Sequence, residues 1–582
     1  MKPIFLTIFA LCCLFPVRAQ RDSLINRELT LEKEYNPTIH DAVKISQLPE
    51  LREPQAPESP VEFAYYENPY QVQSKPFPLS PQAYLTHLNY SKYRGYLTGG
   101  LSSLIDIDGD IGYRILNSTQ EQSNIFFSHR SSRCDVSYLQ ENGRQKFKIN
   151  DNWGGLDYRQ DYGAVKFLAD TKYTYSGFNY YGLSIPYFMS GFQPDKNTNQ
   201  INGLFEAHAS VSSEKTYPLN YKINVGYTNF RQKYGNTLWE SGSGENRVLI
   251  DGDVRKIINS TKRIGLSGSI KTYSYTTTLF KLLNDGTTNY WTFSLNPYIY
   301  WESSNWNFLL GAKMEVEVGG LGKIIASPVI RFNYYQDQVF MFYLLADGGR
   351  KDNSQYNLFY ENRYVDPLIR VMDSRSPLDA TAGIKFTPLS TASVGIFTGY
   401  TIMKDEHFFY SNAGAKNNFG ESASMLAGNW ITPSYEDANT FKLGGDLKYA
   451  FQNVFELNLK GTYYHRAIMK KYPNDGFLHG AWNKPDFEMN LNAAYYYPEL
   501  PLRFDLSYLG AYGRKAAGES RLFGTILKMN DINDLSVKGT YSFTPDFSCY
   551  VSLNNLLFSK YDFWWGYPTQ SFNIMGGINI LF

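Results

Sequence analysis

The sequence predicts an all-β fold, a transmembrane antiparallel β-barrel of roughly 20–22 strands, and three observations lead to it. The last twelve residues, 571–582, alternate between apolar and small or polar side chains and end in an aromatic residue. From about residue 86 onward, short runs with the two-residue period of a half-buried strand recur between clusters of turn-forming residues. The chain is 16% aromatic, yet its mean hydropathy of −0.38 is too polar for a helical membrane bundle. A barrel satisfies both values because only its outer face is apolar.

Residues 1–19 have the pattern of a cleaved export signal. Lys2 precedes an apolar run at residues 4–17, and the small residues Val17 and Ala19 are spaced for cleavage before Gln20. The run is shorter than the roughly 20 apolar residues that a spanning helix needs. The residue before the first cysteine is a leucine, where a lipoprotein signal has a small residue, so we expect export without a lipid anchor.

Residues 20–85 form a Pro-rich extension that is not expected to fold as a packed domain. Nine prolines interrupt it between residues 37 and 81, and each removes a backbone donor. Residues 27–34 alternate well enough to join a partner sheet as an added strand, and residues 39–51 favour one short helix. A flexible linker is the alternative. The candidate partner-binding residues are Glu28, Leu29, Thr30, Leu31 and Glu32.

Residues 86–582 are predicted to form the barrel. Residues 455–463 and 487–495 separate apolar from polar side chains on two faces. The same separation recurs at residues 221–227, 264–270, 291–301, 308–318, 441–449 and 537–543. Charges on the polar face fix the register, since each would cost about 2–4 kcal/mol if turned to lipid at mid-membrane; they include Lys222, Lys313, Glu315, Asp446, Lys448 and Lys538.

The strand number is open at this point. Spanning strands of about 9–11 residues with alternating short turns and longer loops give roughly 20–22 strands, and such wide barrels are normally plugged. Merging the weaker runs into long loops gives about 14–18 strands and a barrel of porin size. After residue 85 the pattern indicates only strands and loops, which excludes an α/β enzyme.

Charge and cysteine content exclude several classes of function. The chain has 56 basic and 55 acidic residues, and cleavage of the signal removes two of the bases, so no nucleic-acid partner is expected. Cys134 and Cys549 remain after cleavage, too few for a disulfide framework, and we expect free thiols.

Few motifs carry chemistry. Asp106, Asp108 and Asp110 lack the glycine and glutamate that an EF-hand calcium loop requires, so they predict a tight turn between the first two strands. Residues 405–407 (Asp, Glu, His) are expected in a solvated loop. We predict no catalytic residues, no metal site, no cofactor and no enzymatic activity; a rim hydrolase or acyltransferase using His129 or His465 is the third alternative.

Aromatic clusters have two interpretations, ligand stacking and the interfacial girdle of a membrane barrel. Tyr180, Tyr181 and residues 495–497 favour the girdle. Trp564 and Trp565 lie in a predicted loop beside a glycine and a proline, so they are the candidate ligand-binding residues.

The C-terminal residues 551–582 resemble the end of a TonB-dependent receptor barrel. The shared pattern is the NLLF sequence at residues 555–558, followed in order by Tyr561, Gly566, Tyr567, Pro568, Gly576, Gly577 and Phe582. The N-terminal residues 27–51 and the sequence GYRILNS at 112–118 also resemble plug-lacking chains catalogued with these receptors. The chain departs from the receptors themselves, because about 65 residues separate signal and barrel, where a receptor has a folded plug of well over a hundred.

The resemblance implies a place in the outer membrane of a Gram-negative bacterium. The implied partners are outer-membrane lipid, the barrel-assembly machinery and TonB or another periplasmic protein. The assembly signal would be the last strand, with Ile574, Ile578, Ile580 and Phe582. The expected function is solute passage or its gating; the alternative is an accessory barrel that docks periplasmic or surface partners through its N-terminal extension.

Overall fold

The computed structural model describes residues 93–582 with short gaps. These gaps are residues 141, 183–198, 214–217, 236–241, 277–288, 320–321, 337–338, 368, 370, 390, 412–429, 453, 470–477 and 518–525. The predicted signal, the Pro-rich extension and the candidate partner-binding residues Glu28, Leu29, Thr30, Leu31 and Glu32 lie outside the described residues.

Twenty-two strands form one antiparallel sheet that closes on itself. They are β1 (Gly95–Ser102), β2 (Ile107–Asn117), β3 (Glu121–Ser137), β4 (Arg144–Asp161), β5 (Val165–Asn179), β6 (Asn199–Ser213), β7 (Leu219–Gln232), β8 (Gly244–Ile257), β9 (Lys262–Tyr275), β10 (Asn289–Glu302), β11 (Trp306–Val318), β12 (Ile324–Gln336), β13 (Phe340–Lys351), β14 (Ser374–Leu389), β15 (Ala392–Ser411), β16 (Ile431–Phe451), β17 (Phe455–Met469), β18 (Phe487–Tyr497), β19 (Leu502–Tyr512), β22 (Ile532–Thr544), β23 (Phe547–Asn554) and β26 (Asn573–Leu581). The intervening numbers are two hairpins outside the wall, β20 (Lys515–Ala517) with β21 (Ile526–Lys528) and β24 (Asp562–Trp564) with β25 (Tyr567–Pro568).

The barrel closes where the last strand meets the first. Strand β1 pairs with both β2 and β26, so the sheet of described strands has no free edge. The Phe582 N–H donates to the Gly95 carbonyl at 3.0 Å, and the Gly95 N–H donates to the Phe582 carbonyl at 2.7 Å. The predicted fold class and the larger strand number are confirmed, and the alternative of 14–18 strands is wrong.

Period-two alternation in the sequence becomes an apolar outer face and a polar lumen. Outward residues of the wall strands are large, apolar and exposed, as at Ile125 and Phe127 of β3 and at Ile223 and Val225 of β7. The predicted register charges face the other way: the Lys538 ammonium lies 3.9 Å from the ring centre of Tyr550 inside the barrel. An exposed apolar belt of this extent is a surface for lipid or protein contact.

The two ends of the barrel differ in the length of their connections. At the end that holds Gly95 and Phe582, here the short-turn end, the connections have two to five residues. At the opposite end, the long-loop end, they have four to 22, and the longest joins β13 to β14.

That longest connection contains a helix that the sequence pattern did not predict. Helix α1 (Gln355–Glu361) begins after Ser354, whose side-chain oxygen accepts a hydrogen bond from the Asn357 N–H. Seven residues are too few for a visible helical period, so a prediction of strands and loops alone was wrong here. In the described part of the chain, no helix has the length and apolar character needed to cross a bilayer.

Two local predictions need correction. Only Asp106 of the Asp106, Asp108 and Asp110 set lies in the turn between β1 and β2, where the Ser102 hydroxyl donates to it at 2.5 Å; the other two are in β2. Residues 405–407 are part of β15 and not of a loop, because a bulge between Met403 and Glu406 lets the strand continue.

Candidate functional site

The connection between β13 and β14 crosses the barrel. We call residues 352–373, as far as they are described, the strap. It leaves the wall beside β14, and its Arg363 Nη2 lies 2.8 Å from Asp151 Oδ2 on β4. Strand β4 is ten strands from β14 one way round the 22-stranded sheet and twelve the other, which places it nearly opposite. The strap therefore spans the lumen near the long-loop end.

At its origin the strap is tied to the wall by buried charges. Arg350 of β13 pairs with Glu317 of β11 at 2.7 Å and with Asp373 at the far end of the strap. Lys271 of β9 pairs with Asp352 at 2.6 Å. Burial alone would raise the pKa of Asp352, but the Lys271 charge and its hydrogen bond outweigh burial and lower that pKa.

The end of helix α1 is held by Lys484 and His407, which come from other parts of the barrel. The Glu361 carboxylate lies 2.6 Å from His407 Nε2 of β15 and 2.7 Å from Lys484 Nζ, which precedes β18. Burial opposes ionisation, yet the charges of Lys484, His407 and Lys351 hold the pKa of Glu361 well below its usual range. Glu361 is therefore ionised and paired at neutral pH.

The start of helix α1 contacts the wall at β8. The Tyr356 N–H donates to Glu245 Oε2 at 3.2 Å, and the Gln355 side-chain amide donates to the Ser243 hydroxyl. With β4, β15 and β9, this contact brings to four the number of named wall strands to which the strap is attached. The strap is thus fixed by directional polar contacts at both ends and in the middle.

The β24–β25 hairpin folds inward and packs on the strap. The Tyr567 ring stacks on Tyr364 with centres 4.1 Å apart, and the Tyr181 hydroxyl donates to the Pro568 carbonyl at 3.0 Å. Trp564 meets Phe409 of β15 edge to face at 5.1 Å. The strap and this hairpin, with the aromatic residues they contact, form what we call the cap.

Arg514 secures the hairpin from the other side. Its guanidinium donates to the carbonyls of Phe563 at 2.9 Å and Asp562 at 2.6 Å. Burial lowers the pKa of Arg514 to about 10, which leaves it charged at neutral pH. A buried cation that serves only backbone carbonyls and a nearby carboxylate has a structural role.

A continuous apolar core unites the cap with the wall. Its residues come from nine separate stretches of the chain, and side chains such as Val365 and Phe409 have no exposed surface. The members are Val136, Phe147, Ile149, Phe178, Tyr180, Tyr181, Leu204, Phe230, Leu358, Phe359, Tyr364, Val365, Ile369, Phe409, Trp430, Ile431, Trp564 and Tyr567. Ion pairs and hydrogen bonds around an apolar core are suited to a closure that is stable and can still open.

The predicted site residues fall in two places. Trp564 and Trp565 are buried in the cap, with 3% and 7% of their surface exposed, so ligand binding by them stays a prediction and would need the cap to move. Tyr180 and Tyr181 are also buried there, which makes the predicted girdle role for them wrong. The candidate assembly residues Ile574, Ile578, Ile580 and Phe582 lie on β26 and at its end, on the outer face.

A cavity lined by both polar and apolar side chains lies between the cap and the wall. It offers about 80 Å³ to water molecules and is lined by Asp106, Asp108, Arg130, Asp151, Tyr364 and Gln570 among others. Its side chains are largely occupied with each other: the Gln570 amide donates to Asp106 Oδ1 at 2.9 Å. Within the described ranges no group of three or more His, Cys, Asp or Glu is placed to hold a metal ion. The cavity is suited to water and not to a large solute.

The sequence did not predict the strap or the ion pairs that attach it to the wall. Arg363 and Asp151 are 212 residues apart, and each stands alone in the sequence. The available signals were the length of the connection and its charges, Asp352, Glu361 and Arg363, together with the capping serine.

No protein-family model matches the sequence, and no curated protein does. Among solved structures, the chain is similar to the ferripyoverdine receptor of the outer membrane of Pseudomonas aeruginosa, with a TM-score of 0.57, 12% identity and coverage of 84% of this chain and 72% of that one. It is similar to the FrpB iron transporter of Neisseria meningitidis (TM-score 0.61, 9% identity, coverage 84% and 81%). It also resembles a mutant of the ferric enterobactin receptor of P. aeruginosa (TM-score 0.58, 11% identity, coverage 84% and 80%). At these identities the likeness establishes the fold, a closed 22-stranded β-barrel.

Proposed function

We propose that this protein is an outer-membrane barrel that gates the passage of a solute. The apolar outer face and the charged lumen support a membrane location. Of the three similar barrels, one is described as a receptor of the outer membrane, one as an iron transporter and one as a ferric enterobactin receptor. Residues 1–19 act as the export signal, residues 20–85 as the extension and residues 86–582 as the barrel. The barrel-assembly machinery recognises the last strand and Phe582.

The strap is the observation that carries the gating role. It reaches across the lumen to Asp151 and is held there by ion pairs, ring contacts and one short backbone bridge, in which Val365 pairs with Ile431 of β16. Such a closure needs only local opening to change the pore, because the wall strands stay paired. The strap and cap narrow a lumen that in a full receptor a separate plug domain fills, which fits a plug-less relative of the TonB-dependent receptors.

The N-terminal extension is the second part of the proposed gate. Residues 20–85 act from the periplasm or the lumen, and Glu28, Leu29, Thr30, Leu31 and Glu32 pair with TonB or another periplasmic partner by β-addition. The extension precedes β1, which begins at the short-turn end.

Single-channel conductance in a planar bilayer tests this function. We expect the full mature chain to be silent, and the combination of Arg363→Gln, Lys484→Gln and deletion of residues 20–85 to give discrete steps. The matched control, Arg263→Gln, removes an exposed ion pair with Glu302 at the short-turn end and should stay silent. The absence of conductance steps after the two substitutions and the deletion would contradict transport. Steps in the full mature chain would indicate an open porin-like pore without a gate.

The buried core of the cap also supports the second candidate, an accessory barrel that holds partners. The apolar core of the cap is as buried as that of a folded domain, with Ile431 and Tyr567 at 1% and 2% exposure. Purification from mild detergent tests it: a stoichiometric partner that is lost on deletion of residues 27–51 supports docking. Absence of any partner together with conductance steps would reject it.

A further inference from the structure

The β3–β4 hairpin carries a cluster of cations on its outer face. Arg133 of β3 and Arg144, Lys146 and Lys148 of β4 are all exposed. They continue the outward alternation of Ile125 and Phe127, which lie lower on β3 and are 47% and 48% exposed. These four residues, which we call the basic face, therefore point away from the lumen.

The basic face lies above the apolar belt, and the outward positions of His129 and Ser131 on β3 separate the two. Phe127 lies opposite Gly154, which lies opposite the exposed Tyr173 of β5, so this row still belongs to the belt. Arg133 is twelve residues from the start of β3 at Glu121. With a rise of about 3.4 Å per residue and a tilt of about 40°, its Cα lies roughly 31 Å above the short-turn end. The belt of a membrane barrel is about 25 Å tall, which puts the basic face at headgroup level on the long-loop side.

The cations are arranged in a way that favours an added anion. Arg133 lies directly opposite Lys148 in the register, and like charges in that position destabilise a sheet. Asp135 lies opposite Lys146 and offsets one charge. Among the residues that the structure describes, no carboxylate forms an ion pair with any of the four. A phosphate group between Arg133 and Lys148 would convert this repulsion into two charge-assisted contacts.

The hairpin is rigid at the height of the basic face. Its inward side chains Val136, Phe147 and Ile149 belong to the apolar core of the cap and are at most 6% exposed. The backbone that displays the cations is therefore fixed before any ligand arrives. Binding then requires the ordering of the four side chains only, which lowers its entropic cost.

We propose that the basic face binds the phosphate of an anionic lipid headgroup in the leaflet at the long-loop end. A lipid is the favoured source because the exposed Ile125, Phe127 and Tyr173 lie lower on the same outer face and would contact its acyl chains. Arginine and lysine together suit such a headgroup, since arginine binds phosphate with two parallel hydrogen bonds and lysine as a point charge. The proposal rests on the membrane location in the proposed function.

Native mass spectrometry of the full mature chain in detergent tests this proposal. The probes are phosphatidylglycerol as the anionic lipid, phosphatidylcholine as the zwitterionic lipid and glycerol phosphate as the soluble phosphate. For Arg133→Gln with Lys148→Gln we expect at least a tenfold loss of affinity for phosphatidylglycerol. The control, Lys256→Gln with Lys262→Gln, removes two exposed outward lysines at the short-turn end and should change it less than twofold.

Each outcome decides the proposal. An equal loss of affinity for phosphatidylglycerol in the control variant, or no loss in either variant, would overturn it. Glycerol phosphate that binds as tightly as phosphatidylglycerol would also overturn it, because the face would then be a site for soluble phosphate. Arg144→Gln with Lys146→Gln repeats the test if the first variant does not fold, as judged by heat-dependent migration in gels. Conductance of the gate variants is unaffected by these changes, so failure here is distinguishable from failure of the transport proposal.

Discussion

At the scale of single residues, Arg363 is the contact on which the crossing of the lumen depends. It and Asp151 are partly buried, with 14% and 13% of their side chains exposed. Arg363→Gln leaves the carboxylate buried beside a neutral group, which costs about 3 kcal/mol of local stability. We expect hydrogen exchange of the α1 amides, such as the Leu358 N–H bonded to Ser354, to accelerate more than a hundredfold.

The matched control for that prediction is Arg263→Gln. Its pair with Glu302 has the same 2.7–2.8 Å spacing as the Arg363 pair but is 31% and 43% exposed. Exposed pairs contribute about 0–1 kcal/mol, so exchange in α1 should not change. Equal acceleration in both variants would show that the strap is not held by Arg363.

Two neighbouring glycines of the last strand give a second prediction at this scale. A Cβ on Gly577 would lie 2.3 Å from the Tyr550 ring, which covers the seam from inside, whereas a Cβ on the outward Gly576 meets nothing within 4 Å. Gly577→Ala should lower the unfolding free energy by about 1–3 kcal/mol because of overpacking. Gly576→Ala should change it by less than about 0.5 kcal/mol. Urea unfolding in detergent measures both, and equal effects would contradict the packing argument.

At the scale of elements, the strap responds to pH through Glu361. Its folded pKa lies well below that of a free glutamate because of Lys484, His407 and Lys351. The ion pairs therefore contribute stability above about pH 4.5, the unfolded value, and lose it as the pH falls through the lower folded value. We expect the strap to stay closed at pH 5 and to open only in stronger acid.

Conductance of the chain without residues 20–85, recorded at stepwise lower pH, measures this opening, because the extension is the second part of the proposed gate. Glu361→Gln removes the titrating group, so the conductance of that variant should not change with pH over the range in which this carboxylate titrates. Opening of the truncated chain with Glu361 intact between pH 7 and 5 would contradict the assignment to Glu361.

Strands and strap differ in how far the sequence predicts them. Each wall strand carries its own signal, since the alternation at residues 455–463 or 537–543 is visible without any partner. The strap carries none, because its stability arises from groups such as Asp151, His407 and Lys484, which only the closed barrel brings near it. The same reason explains why the position of Tyr180 and Tyr181 was predicted wrongly. Two adjacent tyrosines look the same in the sequence whether they lie in an interfacial girdle or in a buried cap.

At the scale of the whole molecule, one seam determines whether a barrel exists. Twenty-one of the 22 strand contacts join neighbours in the chain order of the wall, and the remaining one joins β26 to β1. Phe582 ends that contact: its backbone exchanges hydrogen bonds with Gly95, and its ring lies where a Cβ on Gly95 would come within 2.4 Å.

Removal of the Phe582 side chain should therefore affect assembly more than stability. The ring is 51% exposed, so Phe582→Ala loses little buried area, but the outward end of the last strand loses the aromatic group proposed as its assembly signal. We expect a several-fold lower yield of heat-resistant barrel in outer membranes, with an unchanged urea midpoint for the fraction that assembles. Phe543→Ala, which removes a ring of similar exposure, 60%, from β22 away from the seam, should leave the yield unchanged. Equal yields of the two variants would show that the end of the chain closes the barrel without directing its insertion.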